Sequence, residues 1–301
     1  MHLWLWLWLG LMGEGLWAQD EMFESKPIEG GTTDEFDIGR IPDAVASVVE
    51  GTVNRPLGQR IRAISEAFKG LPYLVDAAGE GQAPDLDPPA RYDAFDCLTF
   101  VEEVLALSLS PGARSAPMVR DGLRYGTVDR DYASRNHFMT HEWIPRAIGN
   151  GWLEDVSTSV GQTHLVARSL SRSVWLNWSR RSLFDLPDDR FPVGRFVLPV
   201  LSLDSAMDGL GRIPEGSVLF TVRKLRSWVP ITVTHVGIVV GSDGGLVMRH
   251  ASLRGKKVVR DDPLSTYLEY LRSYSKWEVD GVALLAPREQ GPRRAMLDVF
   301  R

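Results

Sequence analysis

A single cysteine, Cys97, in a chain of 301 residues rules out any disulfide within the chain, so the fold must be held without covalent cross-links of that kind. The constraint sharpens at the N-terminus. Residues 3–12 are made almost wholly of Leu and Trp, a run too short to span a bilayer but suited to the core of a secretory signal. Ala18 offers a small residue for cleavage before Gln19, although no Lys or Arg precedes the apolar run. The expectation is a signal peptide over 1–18 and a mature protein that is secreted, periplasmic or held in the cell envelope. Secreted chains use cysteine mainly to form disulfides. A lone thiol there is an inert core residue, half of an intermolecular bridge, or a nucleophile.

The neighbourhood of Cys97 favours a nucleophile. Asp96 can cap a helix beginning at the cysteine, and Leu98, Val101, Val104, Leu105 and Leu109 then fall largely on one face. A thiol in the first turn sits at the positive end of the helix dipole, which favours the thiolate.

The formal net charge of −5, without a basic cluster, argues against nucleic acid as a partner. No segment after residue 18 is long and apolar enough to cross a membrane. Residues 19–55 are polar and rich in Gly, Asp and Glu, and read as an arm or linker with at most one short helix. One domain follows over 56–290. Ile61, Ile64, Ala67 and Phe68 mark an amphipathic helix that stops at Gly70-Leu71-Pro72-Tyr73. Residues 111–155 mix turns with a helix ending near Gly149, and 156–210 read as a long insertion without clean periodicity. From Ile213 the pattern becomes β, with strands over 217–222, 232–240 and 246–252, a pairing segment at 256–260, a short helix over 264–271 and a closing strand over 279–285. Helices first and an antiparallel sheet afterwards make an α+β fold. Residues 291–301 are a C-terminal tail.

His235 lies in the middle of one strand and His250 near the end of the next. A hairpin register can bring the two imidazoles onto one face, where Gly237 leaves room beside them. A thiolate at a helix start, an imidazole to relay its proton and a third polar group to orient that imidazole are the parts of a cysteine hydrolase.

These residues carry a resemblance. Gly70-Leu71-Pro72-Tyr73, Asp96-Cys97, Thr234-His235-Val236-Gly237-Ile238 and His250-Ala251-Ser252 resemble, in order and spacing, the NlpC/P60 superfamily of papain-like cell-wall hydrolases. More narrowly, Tyr125, Arg130, Tyr132, Arg135, Asn136, His137, Phe138 and Trp143 make the chain similar to the N-acetylmuramoyl-L-alanine amidase-like family also called DUF1460. The resemblance spans about residues 57–288, with Ser217 standing where an acidic residue is expected. It implies a helix-borne cysteine packed on an antiparallel sheet carrying both histidines. It also implies Cys97 as nucleophile, His235 as general base, His250 as orienting residue, and Tyr73, Asp96, Arg135 and His137 around the substrate. The expected activity is cleavage of the N-acetylmuramoyl–L-alanine amide in peptidoglycan or muropeptides, by a monomer, with no cofactor and no metal. A stem-peptide endopeptidase cutting near D-glutamate and an acyl transferase use the same thioester chemistry.

Three other classes compete. His137 and His141 share a helix face at i, i+4 with Glu142 beside them and His164 further on, but no glutamate stands between the two histidines as in zinc peptidases. The simpler readings are a cleft wall for His137 and a solvated helix residue for His141. Serine chemistry lacks a Gly-x-Ser-x-Gly turn. A non-catalytic wall-binding module would use tryptophans as sugar platforms and leave Cys97 idle.

Overall fold

The computed structural model describes residues 39–127 and 129–289. The signal, the first half of the arm and the tail lie outside them. The later part of the arm is α1, Asp43–Gly51, whose Val45 and Val49 are buried in the main core, so this segment packs as part of the domain. Helix α2, Leu57–Glu66, precedes α3, Cys97–Leu109, and α4, Ala116–Arg124.

Helix α3 starts where the sequence places it. Asp96 Oδ1 accepts from the N–H groups of Leu98 and Thr99 at 2.8 Å each, and Thr99 Oγ1 accepts from Asp96 N–H at 3.0 Å, a reciprocal capping box. The expectation of a single apolar face is corrected, because every residue of α3 is buried. Its two carboxylates are buried with partners. Glu102 accepts from Arg124 Nε at 2.8 Å and Trp143 Nε1 at 3.0 Å, and Glu103 from Tyr92 at 3.0 Å and Arg120 at 3.3 Å. Removing one partner of such a buried pair typically costs about 3–5 kcal/mol, because the other charge is left uncompensated.

After a π-helical turn at Met139–Trp143, helix α5 covers Ile144–Gly149. Strand β1, Leu153–Asp155, is followed by a short helix α6, Ser157–Val160, then β2, Thr163–Leu170, α7, Arg172–Asn177, β3, Gly194–Leu201, and α8, Leu203–Asp208. The remaining elements are β4, Val218–Arg223, β5, Val233–Ser242, β6, Gly245–Ala251, β7, Val259–Pro263, α9, Leu264–Ser273, and β8, Val279–Pro287. The strands form one antiparallel sheet in the order β2-β3-β8-β4-β5-β6-β7, with β1 also paired to β8. The expected α+β class holds.

Alternation along the strands sorts side chains to two layers. Val218, Phe220, Val236, Ile238 and Val240 join the core around α3, while Leu219, Val239 and Met248 pack with Leu264 and Leu268 of α9. The stretch 156–210 extends the sheet by the β2–β3 hairpin. Four of its aromatic side chains, Trp175, Trp178, Phe184 and Phe191, gather in a separate cluster against Phe138.

Candidate active site

Cys97, His235 and His250 line one cleft at the start of α3, with Tyr73 on its rim and Tyr267 of α9 behind the imidazoles. The β5–β6 register pairs Ile238 with Arg249 and so carries His235 and His250 to the same face. There His235 Nε2 and His250 Nδ1 stand 2.6 Å apart. His250 Nε2 is 3.2 Å from Asp262 Oδ2 on β7, and Arg260 donates to the other Asp262 oxygen. Sequence reasoning missed Asp262. It lies twelve residues beyond His250, and only the β6–β7 pairing brings it behind the ring.

This chain fixes its own tautomers. An ionised carboxylate can only accept, so His250 carries its proton on Nε2 and accepts through Nδ1. His235 must then donate from Nε2, which leaves its Nδ1 as the lone-pair nitrogen. Burial alone would raise the Asp262 pKa, but hydrogen bonds from His250 and Arg260 outweigh it and hold the group at about 2. Burial pushes His250 below the ordinary imidazole value, against the pull of Asp262. His235 is pushed well below it by burial, then by His250, Arg223 and Arg254.

The expected stabilised thiolate is corrected. Burial, and then the charge of Asp96, push the Cys97 thiol upward. The N–H groups of Val236, Cys97 and Leu98 act in the opposite direction without overcoming this. The physical reason is the cap: Asp96 occupies the N-terminal amides of α3, so its carboxylate, rather than the sulfur, takes most of the dipole's favourable field. Burial raises Asp96 itself to about 6. Burial thus disfavours both the thiolate and the imidazolium in this cleft.

Tyr73 lines the same cleft as Cys97, and burial, then the charges of Cys97 and Asp96, push its phenol well up. Arg135 and His137 lie on the other side of the α3 start, in a polar pocket shared with Asp76 and Asp96. Arg135 is engaged by Glu80 at 2.8 and 2.9 Å and by Asp85 at 2.9 Å. His137 Nε2 is 2.6 Å from the Tyr132 carbonyl, and burial lowers its pKa to about 3.

His141 is not a solvated residue. It is buried with its ring 4.0 Å from that of Phe196, because the β2–β3 hairpin covers it. Its Nδ1 bonds Thr140, Glu142 turns to Arg190, and His164 pairs with Asp280, so these three side chains do not converge. Among the described residues no group of three or more His, Cys, Asp or Glu is arranged to hold a metal, and no helix is long and apolar enough to cross a membrane.

The fold is similar to that of a Legionella pneumophila protein of the DUF1460 family, with a TM-score of 0.70 and 21% identity over 81% of this chain and 93% of that one. It is similar also to an N-acetylmuramoyl-L-alanine amidase from Bacteroides uniformis, with a TM-score of 0.61 and 24% identity over 77% of this chain and 99% of that one. A Bacteroides fragilis protein provisionally described as a xylanase gives a TM-score of 0.58 and 25% identity over 74% and 98% of the two chains. No curated protein matches in sequence. Residues 63–273 match the AmiA-like family model, described as N-acetylmuramoyl-L-alanine amidase-like, and the chain belongs to that family.

Proposed function

We propose that this chain is a cell-envelope cysteine amidase of the papain-like NlpC/P60 type, hydrolysing the amide between N-acetylmuramic acid and L-alanine in peptidoglycan or its fragments. Family membership supports the bond class. The observation that carries the mechanism is the hydrogen-bonded line from His235 through His250 to Asp262, opening on the cleft that Cys97 also lines.

His235 Nδ1 takes the Cys97 proton as the sulfur attacks the lactyl carbonyl, so that imidazolium and tetrahedral oxyanion form together. The charge that appears on His235 is shared through His250 with Asp262. Tyr73, which lines the same cleft, can donate its O–H to the oxyanion. Collapse breaks the C–N bond, and His235 returns its proton to the departing L-alanyl amine. Water, deprotonated by His235, then cleaves the thioester and restores the thiol. Secretion by a signal over 1–18 would place this chemistry at the wall.

Mass spectrometry of purified muropeptides after digestion tests the reading. Release of the intact stem peptide from the sugar is expected, with no turnover by folded Cys97→Ala. Cuts inside the stem would make the protein an endopeptidase, and activity retained by Cys97→Ala would remove the thioester.

A further inference from the structure

The cleft holds two cations and no anion. Arg223 of β4 and Arg254, in the loop after β6, both line it, and no Asp or Glu does. Arg223 is only 5% exposed, yet its bonds go to neutral groups, with Nε donating to Thr234 Oγ1 at 2.8 Å and Nη1 to the Trp277 carbonyl at 2.7 Å. No carboxylate pairs with it among the described residues. Arg254 Nη1 is buried without a hydrogen-bond partner, and Asp262 Oδ2 is 3.9 Å away. A desolvated guanidinium ordinarily has a carboxylate beside it, because burying an unpaired charge is costly.

Aromatic faces hold both, without any carboxylate for Arg223 and beside a long 3.9 Å pairing with Asp262 for Arg254, whose side chain is 33% exposed. The guanidinium carbon of Arg254 lies 3.6 Å from the Tyr270 ring centre, and that of Arg223 lies 4.4 Å from the Tyr274 ring centre. The two tyrosine rings touch edge to face at 6.0 Å. A ring quadrupole orients a cation without neutralising it, so both guanidiniums remain available to an anion.

We propose that Arg223 and Arg254 form a carboxylate subsite for the acidic stem peptide, binding the free α-carboxylate of the residue after L-alanine. This rests on the amidase reading for its position, on the leaving-group side of the scissile bond. Planar guanidiniums match a carboxylate through paired N–H groups. The apolar edge of Leu271 beside them suits the peptide's methylene chain. Both cations also depress the basicity of His235, so docking an anion on them returns proton affinity to the base when substrate is present.

The experiment uses full-length protein and two probes, N-acetylmuramoyl-L-alanyl-D-isoglutamate and its α-amide, isoglutamine. Calorimetric titration of the Cys97→Ala protein reads binding whichever bond the enzyme cuts. Tighter binding of the acid by about 10- to 100-fold is expected, the scale of one or two charge-assisted hydrogen bonds, with the preference shrinking as salt rises. Arg254→Gln should erase the preference while keeping the melting temperature. Arg223→Gln should do the same if it folds, and the two-probe comparison stands without it. Equal binding of acid and amide, or an acid preference that survives in Arg254→Gln, would overturn the subsite. Failure of the amidase reading would appear separately, as acid-selective binding with no release of stem peptide by the wild type.

Discussion

A Cβ placed on Gly237 would lie 2.7 Å from the Cβ of His250 and 2.8 Å from the Arg249 carbonyl. The missing side chain is thus what lets the second imidazole stand beside the first across the β5–β6 pair. Gly237→Ala should push His250 off its line with His235. Overpacking of this kind costs about 1–3 kcal/mol, so a fall in melting temperature is expected with the protein still folded at 25 °C. Turnover per folded molecule should fall much further. Wild-type turnover in a folded Gly237→Ala protein would show that the His235–His250 contact is dispensable.

The thiol prediction concerns pH. Cys97 is pushed above the ordinary thiol range and His235 below the ordinary imidazole range. Neither group is therefore expected to carry charge near neutrality in the free enzyme. The ultraviolet difference between wild type and Cys97→Ala should show no thiolate band at pH 7. Inactivation by iodoacetamide should accelerate with pH through neutrality and reach no plateau below about pH 9, since an ordinary thiol titrates near 8.5. On the acid side kcat/KM should stay level below pH 6.5, because His235 keeps its lone pair there. A thiolate band at pH 7 would mean that an ion pair, rather than a neutral pair, is the resting state.

Arg135 separates a substrate role from an architectural one. Its side chain is 11% exposed and bridges Glu80 and Asp85, while Tyr125 bonds the same Glu80 at 3.0 Å. Arg135→Ala would leave two buried carboxylates without their cation, a loss of about 3–5 kcal/mol. The expected result is a marked fall in denaturation midpoint, with KM little changed in whatever fraction folds. Unchanged stability with a raised KM would return Arg135 to the substrate.

Cys97, His235 and His250 were legible because each sits in a local pattern that betrays its element: an Asp cap before an apolar helix, and a β-branched run broken by glycine. Five of the last six elements could be read from such patterns, while the pairing segment expected at 256–260 lies further on, at Val259–Pro263. Asp262 could not, because Arg260-Asp261-Asp262 looks like a solvated charge run until pairing with β6 turns alternate residues to opposite faces. There Asp261 binds Arg249, and Asp262 meets His250. His141 was misread because its cover comes from a hairpin far along the chain. That hairpin in turn was opaque, since β2 is partly exposed along much of its length and shows no clean alternation. The raised thiol also escaped the sequence, which shows that Asp96 caps the helix but not that its carboxylate is buried beside the sulfur.

The sharpest test of the hydrogen-bonded line is Asp262→Asn. In the wild type one oxygen of Asp262 accepts from Arg260 and the other from His250 Nε2. An amide has a single oxygen. Arg260 can only donate, so the oxygen of the substituted side chain will turn to it and present the NH2 to His250. His250 must then accept through Nε2 and carry its proton on Nδ1. That proton faces His235 Nε2, which becomes an acceptor, and the His235 proton moves to Nδ1, where the lone pair for the thiol should be. The fold keeps its shape while the base loses its working tautomer. In the serine triad the equivalent Asp→Asn change lowers kcat by about 10⁴, and a loss of at least about 10² is expected here, with the melting temperature nearly unchanged. Removing the competing donor should undo part of the damage. In Arg260→Met/Asp262→Asn the amide is free to turn its oxygen to His250, and turnover should rise above that of the single variant. Kinetics of the two proteins on one muropeptide decide the matter. A double variant no better than Asp262→Asn alone would show that tautomer control does not run through Asp262.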